Sequence, residues 1–265
     1  MKIGVFDSGF GGLTVLRALM EAMPAAEFVY LGDTARLPYG AKSRATVARY
    51  ATSSAQFLAG QGAEFLVIAC NTASALALDA IRDAVKVPVL GVVETGANAA
   101  EANSRTRDVL VMATAATVES HAYASACAER GLRAIEKACP LLVPLVEEGW
   151  IDHPVTAEVL RVYLSELLAQ AEAAGLQADT LVLGCTHYPL LRRQIERGVP
   201  QSLRVIDSAE VTAQQVRAKL GAGNGGRAAG RAQFFATDSV KKFQTLGSRF
   251  LGRAIDGVQL VDLGG

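Results

Sequence analysis

Two cysteines of this chain, Cys70 and Cys185, stand in matching contexts. FLVIACNTASAL, from Phe65 to Leu76, can be laid on TLVLGCTHYPLL, from Thr180 to Leu191. Each copy has an apolar run, a small residue, the cysteine, a polar pair and the beginning of a helical pattern. A cysteine just before a helix lies in the field of the helix N-terminus, which lowers the ordinary thiol pKa near 8.5 and favours the thiolate. One such residue suggests a nucleophile. Two, on two similar halves, suggest inversion of a stereocentre: one group removes a proton from one face while the other delivers a proton to the opposite face. Asp7 falls beside the first cysteine in the expected strand order. It is placed to take part in proton traffic or to hold a substrate ammonium. His187, two residues after Cys185, is placed to do the same on the other side.

Short apolar runs rich in Val, Ile and Phe alternate with longer Ala/Leu-rich stretches of helical spacing. Strands are expected at 3–6, 28–31, 65–69, 89–93, 109–112, 181–183, 205–206 and 234–235. Helices are expected at 13–23, 46–61, 73–85, 156–174 and 211–220. This alternation implies an α/β fold with parallel sheets covered by helices on both faces. A weaker echo pairs Ile3–Phe6 and the Asp7-Ser8 turn with Val109–Met112 and the Thr114 turn. The two cysteines are separated by about the length of one small α/β domain. The chain therefore reads as two pseudosymmetric parallel-sheet α/β domains with a site in the cleft between them. Residues 1–96 with 208–265 form the first, carrying Cys70, and residues 97–207 the second, carrying Cys185. The Gly-rich stretch Gly221–Gly230 reads as a surface loop.

In open parallel sheets ligands bind beyond the carboxyl ends of the strands. Five segments are expected there: Asp7–Gly12, Leu37–Gly40, Cys70–Thr72, Thr114–Thr117 and Cys185–His187. They are rich in glycine and in hydroxyl or amide side chains, and backbone N–H groups at helix starts can hold a carboxylate without any arginine. A small ligand with more than one carboxylate suits such a cleft. Composition narrows the partners further. Lys+Arg and Asp+Glu are 26 each, giving a formal net charge of zero, so the basic excess of a nucleic-acid binder is missing. No apolar run approaches the roughly 18–20 residues of a membrane span, and the N-terminal MKIGVFDSG lacks the pattern of a secretory signal. A cytoplasmic protein with four free thiols is expected. DSGFGG is neither a dinucleotide fingerprint nor a P-loop, no CxxC or HxxxH supports a metal, and Lys42 is the one lysine beside these segments, so a pyridoxal Schiff base is not expected.

IGVFDSGFGGLTVL, LGDTARLPYG, ACNTASALAL, PLVEEG and LGCTHYPLL, in this order from residue 3 to residue 191, together resemble the motif set of the bacterial glutamate racemases, a branch of the aspartate/glutamate racemases. The IDSAE stretch at Ile206–Glu210 extends the likeness. The resemblance implies an isomerase needing no cofactor, with glutamate as substrate and D-glutamate destined for cell-wall peptidoglycan. It also implies a homodimer in the cytoplasm. By position, Cys70 would exchange a proton with D-glutamate and Cys185 with L-glutamate. Asp7, Ser8, Tyr39, Gly40, Asn71, Thr72, Thr114, Thr117, Thr186 and His187 would contact substrate, with Glu147 the acidic partner of His187. Two departures are Ala113, where glycine is commoner, and Thr95, where proline is usual; the latter suggests a local loop difference. The aspartate racemases typically carry an acidic residue where His187 stands, which weighs against aspartate. A non-catalytic dicarboxylate-binding protein would keep the hydroxyl-rich loops without needing both thiols.

The remaining residues of chemical interest have plainer readings. Cys127 and Cys139 lack the strand–Cys–helix setting and read as packing residues. His121 and His153 read as surface or capping residues.

Overall fold

The computed structural model describes residues 1–221 and 231–264; the glycine-rich 222–230 stretch lies outside the described residues. The first half runs β1 (Lys2–Asp7), α1 (Leu13–Ala22), β2 (Glu27–Gly32), α2 (Arg44–Gly60), β3 (Phe65–Ile68), α3 (Asn71–Ala84), β4 (Val89–Gly91) and α4 (Val92–Asn103). It is followed by β5 (Asp108–Ala113), α5 (Ala115–Glu119), α6 (Ala122–Ala128), β6 (Arg133–Ala138), α7 (Leu142–Glu147), α8 (Pro154–Ala173), β7 (Thr180–Gly184), α9 (Arg192–Gly198) and β8 (Arg204–Asp207). The chain ends with α10 (Ser208–Leu220), β9 (Ala232–Ala236), α11 (Val240–Leu251) and β10 (Gln259–Leu260).

The strands form two wholly parallel sheets, ordered β10-β9-β2-β1-β3-β4 and β6-β5-β7-β8. The apolar strands follow from burial on both faces. In β2, Phe28 and Tyr30 enter one core while Val29 and Leu31 enter another. In β5, Leu110 and Met112 share the core of Phe28 and Tyr30, whereas Val109 and Val111 pack in a third cluster. The two α/β domains thus lean on one common apolar core. Each fully buried side chain of this kind contributes about 1.5–3 kcal/mol.

The two sheets share a topological feature. From β1 the chain goes to β2 on one side and then to β3 on the other; from β5 it goes to β6 on one side and then to β7 on the other. The crevice of an open parallel sheet lies at such a reversal. Cys70 follows β3 and Cys185 follows β7, so both cysteines emerge at equivalent reversals. The sequence echo is this repeated topology.

Four local differences from the sequence reading have physical causes. The strand expected at 89–93 ends at Gly91, because Ser74 Oγ accepts the Val92 N–H (3.1 Å) and Val92 and Val93 begin α4. Residue 97, the expected second-domain start, falls inside this same helix. Thr95 does not make a loop difference: it is buried within α4, where Oγ1 donates to the Val92 carbonyl (2.9 Å) and pairs with Thr212 Oγ1 of α10 (2.7 Å). β6 has no apolar run because it is an edge strand, half-buried along most of its length.

Candidate active site

Asp7 is the last residue of β1. Its fully buried carboxylate accepts the Gly9 N–H (2.8 Å), which turns the chain sharply into α1. Burial pushes its carboxyl up, against the opposing charge of His187 and the N–H groups of Gly9 and Gly12. Beyond β2, the buried Asp33 accepts hydrogen bonds from the Tyr39 hydroxyl and from Thr237 Oγ1 (2.9 Å), with Arg36 alongside at 3.4 Å. These contacts fold the Leu37–Ala41 segment over the end of the sheet. The Tyr39 hydroxyl is thereby committed to Asp33, and its phenol is held above its ordinary range by burial and by that carboxylate.

Cys70 caps α3, its sulfur accepting the Ala73 N–H (3.4 Å) while the thiol donates to Ser8 Oγ (3.4 Å). A helix N-terminus favours a negative charge by about 0.3–2 kcal/mol. Burial acts the other way and is the larger effect, reinforced by Asp7; the thiol is pushed up to about 12. A rise of that size is roughly 4 kcal/mol against the thiolate. Burial and the Asp7 charge thus work against the pull of the helix N-terminus and favour the protonated form of Cys70.

Cys185 follows β7 directly and has a different neighbour. His187 Nδ1 lies 4.0 Å from its sulfur, and His187 Nε2 is 3.2 Å from Glu147 Oε1. Burial opposes the charge on His187, but the interactions with Cys185 and Glu147 outweigh it and raise the imidazole to about 10. Burial likewise works against the Glu147 carboxylate, yet His187 and Lys242 of α11, 3.8 Å away, draw it below its ordinary value. These interactions favour the charged form of the ring beside the second sulfur. Thr186 Oγ1 donates to Asp7 Oδ1 across the domains (3.4 Å).

Both cysteines open into one cavity of about 300 Å³. Ser8, Tyr39, Gly40, Asn71, Thr72, Thr114, Thr186, His187 and Glu147 also line it. Two expected contacts stand back from the wall. Asp7 lies behind Ser8 and Thr186, and Thr117 sits beneath Thr72 and Thr114, forming a triangle of hydroxyls at 2.9–3.3 Å. Gly40 passes so close to this triangle that a Cβ there would lie 2.9 Å from Thr114 Cβ. The sequence reading did not single out Asp33, nor Pro140, Val143, Pro144 and Glu148 on the wall, nor Tyr123 and Lys242 behind it. Asp33 was legible in principle, since it lies inside the LGDTARLPYG motif. Among the described residues no group of three or more His, Cys, Asp and Glu could hold a metal ion, and no lysine lines the cavity. Among the described residues no helix is long and apolar enough to cross a membrane.

The arrangement offers two thiols from two sheets facing one small cavity, with hydroxyl, amide and N–H donors between them. Known proteins resemble this chain along nearly its whole length. The family model for Asp/Glu/Hydantoin racemase matches residues 3–216. A glutamate racemase of Koribacter versatilis is 54% identical over 287 aligned positions, covering 99% of this chain and 98% of its own. The solved glutamate racemase of Francisella tularensis, in complex with D-glutamate, superposes with a TM-score of 0.89 at 33% identity, covering 99% of this chain and 97% of its own. That of Thermus thermophilus, in complex with beta-chloro-D-alanine, gives 0.87 at 44% identity and the same coverage. The chain belongs to the Asp/Glu/hydantoin racemase family.

Proposed function

We propose that this protein interconverts L-glutamate and D-glutamate by two-base proton transfer at the α-carbon, without a cofactor, using Cys70 and Cys185. The observation that carries the reading is the pair of cysteines at equivalent sheet reversals opening into one donor-rich cavity. Relatives named as glutamate racemases over nearly the full chain, one of them solved with D-glutamate, support the choice of substrate.

In the direction from L to D, Cys185 is the base. Its sulfur takes the α-proton, forming S–H as C–H breaks, and the electron pair passes into the α-carboxylate system. The Cys70 thiol, protonated at rest, delivers its proton to the opposite face and becomes a thiolate. The reverse direction exchanges the roles, and neither needs an external reagent. His187, held positive by Glu147, balances negative charge on the Cys185 side. Asp7 is poised behind both sides, near Ser8 and through Thr186, to bias the substrate ammonium. Ser8, Tyr39, Gly40, Asn71, Thr72, Thr114, Thr117, Thr186 and His187 form the substrate shell, with Tyr39 acting through its ring and backbone and Thr117 through its two threonine neighbours.

We assign residues 1–96 with 208–265 to one domain and 97–207 to the other, the crossing running through α4, on the ground that β1–β4 with β9–β10 form one sheet and β5–β8 the other. We place the enzyme in the cytoplasm as a homodimer that supplies D-glutamate for peptidoglycan.

The test is incubation with L-glutamate in deuterated water, followed by chiral analysis and mass spectrometry. Wild type should give D-glutamate carrying one α-deuteron. Cys70→Ser and Cys185→Ser should each lose at least about 1000-fold in racemisation while remaining folded, because either change breaks the proton path. Near-normal turnover in either variant would remove the two-thiol assignment, and binding without exchange in wild type would leave a dicarboxylate-binding protein.

A further inference from the structure

Asn71, the residue after Cys70, is almost entirely buried on the cavity wall (2% exposed). Its two amide atoms are treated differently. Oδ1 accepts a 2.7 Å hydrogen bond from the hydroxyl of Tyr123 on α6. Nδ2 has no hydrogen-bond partner among the described residues. A buried donor left unmade costs about 1–3 kcal/mol, so this N–H₂ group is a standing demand for an acceptor.

Tyr123 has no route to solvent and is rigidly housed. Gly96 on α4 and Gly184 at the end of β7 flank its ring; a Cβ at either position would come within 2.9 Å of it. Burial, with Cys127, Cys185 and Glu136 nearby, keeps its phenol protonated and so a donor. A phenol in that state meets the Asn71 oxygen and leaves the Asn71 nitrogen free. The contact also crosses the molecule, since Tyr123 belongs to the elements around the four-stranded sheet and Asn71 to those around the six-stranded one.

We propose that Tyr123 is a positioning residue for the racemisation: its hydroxyl locks the Asn71 amide so that Nδ2 donates into the cavity, to a carboxylate of the bound amino acid. This rests on the reading of Asn71 as a substrate contact given above. Without the phenol the amide is free to turn its oxygen toward the substrate. Two oxygens would then face each other, and binding would weaken without any change in the reacting thiols.

A double-variant cycle on Tyr123→Phe, Asn71→Ala and the combined variant tests this, with KM and kcat for both glutamate enantiomers measured in each. Thermal melting of each variant controls for folding. Tyr123→Phe is expected to raise KM about tenfold and change kcat less than about threefold. Asn71→Ala should raise KM at least as much. The combined variant should be no worse than Asn71→Ala alone, because the hydroxyl acts only through the amide. Additive KM effects, or a Tyr123→Phe loss confined to kcat or to melting temperature, would overturn the positioning role while leaving Asn71 as a contact. An Asn71→Ala variant with unchanged KM would overturn both the contact and the proposal, leaving the two-thiol reading to its own exchange test.

Discussion

The two cysteines look alike in sequence and differ in their surroundings. Cys70 has Ser8, Asp7 and a helix N-terminus; Cys185 has an imidazole backed by a carboxylate. Burial and the Asp7 charge favour a proton held on Cys70, which on the proposed mechanism suits the form that accepts L-glutamate. This preference is testable by alkylation. In a Cys185→Ser background, carboxamidomethylation of Cys70 by iodoacetamide, followed by peptide mass spectrometry, should be at least 100-fold slower at pH 7.5 than for a free thiol. The rate should climb about tenfold per pH unit and still be rising at pH 10, because only the thiolate reacts and the Cys70 thiol stands at about 12. A plateau below pH 9 would show that Cys70 ionises at or below the ordinary thiol range, and would remove the burial-raised thiol. Sequence could supply the residue types and the helix start that Cys70 caps. It could not supply the sign of the net effect, since burial is a property of the folded site.

Elements were legible in proportion to how regularly they are buried. Strands covered on both faces, such as β1, β3, β5 and β7, read as unbroken apolar runs, and these are the ones that carry the site. The edge strand β6, RAIEKA, has no such signal, and α4 was partly read as strand because Val92 and Val93 extend the run of β4. Contacts made over long separations left no local trace at all. Tyr123 lies 52 positions from the Asn71 it holds, and Lys242 lies far beyond Glu147. Gly40 belongs to this scale too, because its lack of a side chain lets the Leu37–Ala41 segment rest on the threonine triangle at the start of α5. Gly40→Ala would place a Cβ 2.9 Å from Thr114 Cβ and 3.1 Å from its Cγ2, and neither is the end of a long flexible chain. Overpacking of this kind costs about 1–3 kcal/mol. The expected outcome is a KM raised at least about tenfold together with a small fall in urea stability. Unchanged KM and stability would mean that the segment and Thr114 separate freely, and that their contact does not shape the cavity.

At the scale of the whole molecule, the charge that serves the site also ties its acid–base state to folding. His187 sits in the common interior with Phe250 of α11 against its ring (5.2 Å between centroids), and Glu147 of α7 is bridged to Lys242 of α11. The groups facing His187 are Cys185, Glu147 and Asp7, and its charge helps restrain the rise of the Asp7 carboxyl. In the folded protein the imidazole stands at about 10, above its ordinary 6.5. A group raised on folding contributes stability that is fully present below its unfolded value and is lost as pH rises through the folded one. Glu147 is lowered, so its contribution is present above its ordinary 4.5 and is lost as pH falls. The pair therefore supports the fold most strongly between about pH 4.5 and 6.5, and its contribution declines toward pH 10. The slope of that decline can reach about 1.4 kcal/mol per pH unit. Urea unfolding of wild type and His187→Asn from pH 5.5 to 9.5 measures it directly. The stability gap between them should be largest near pH 6 and should shrink by pH 9.5, even though the variant also deprives Asp7 of its counter-charge. Parallel curves across this range would mean that His187 is neutral in the folded state, and would remove the charge balance proposed for it beside Cys185.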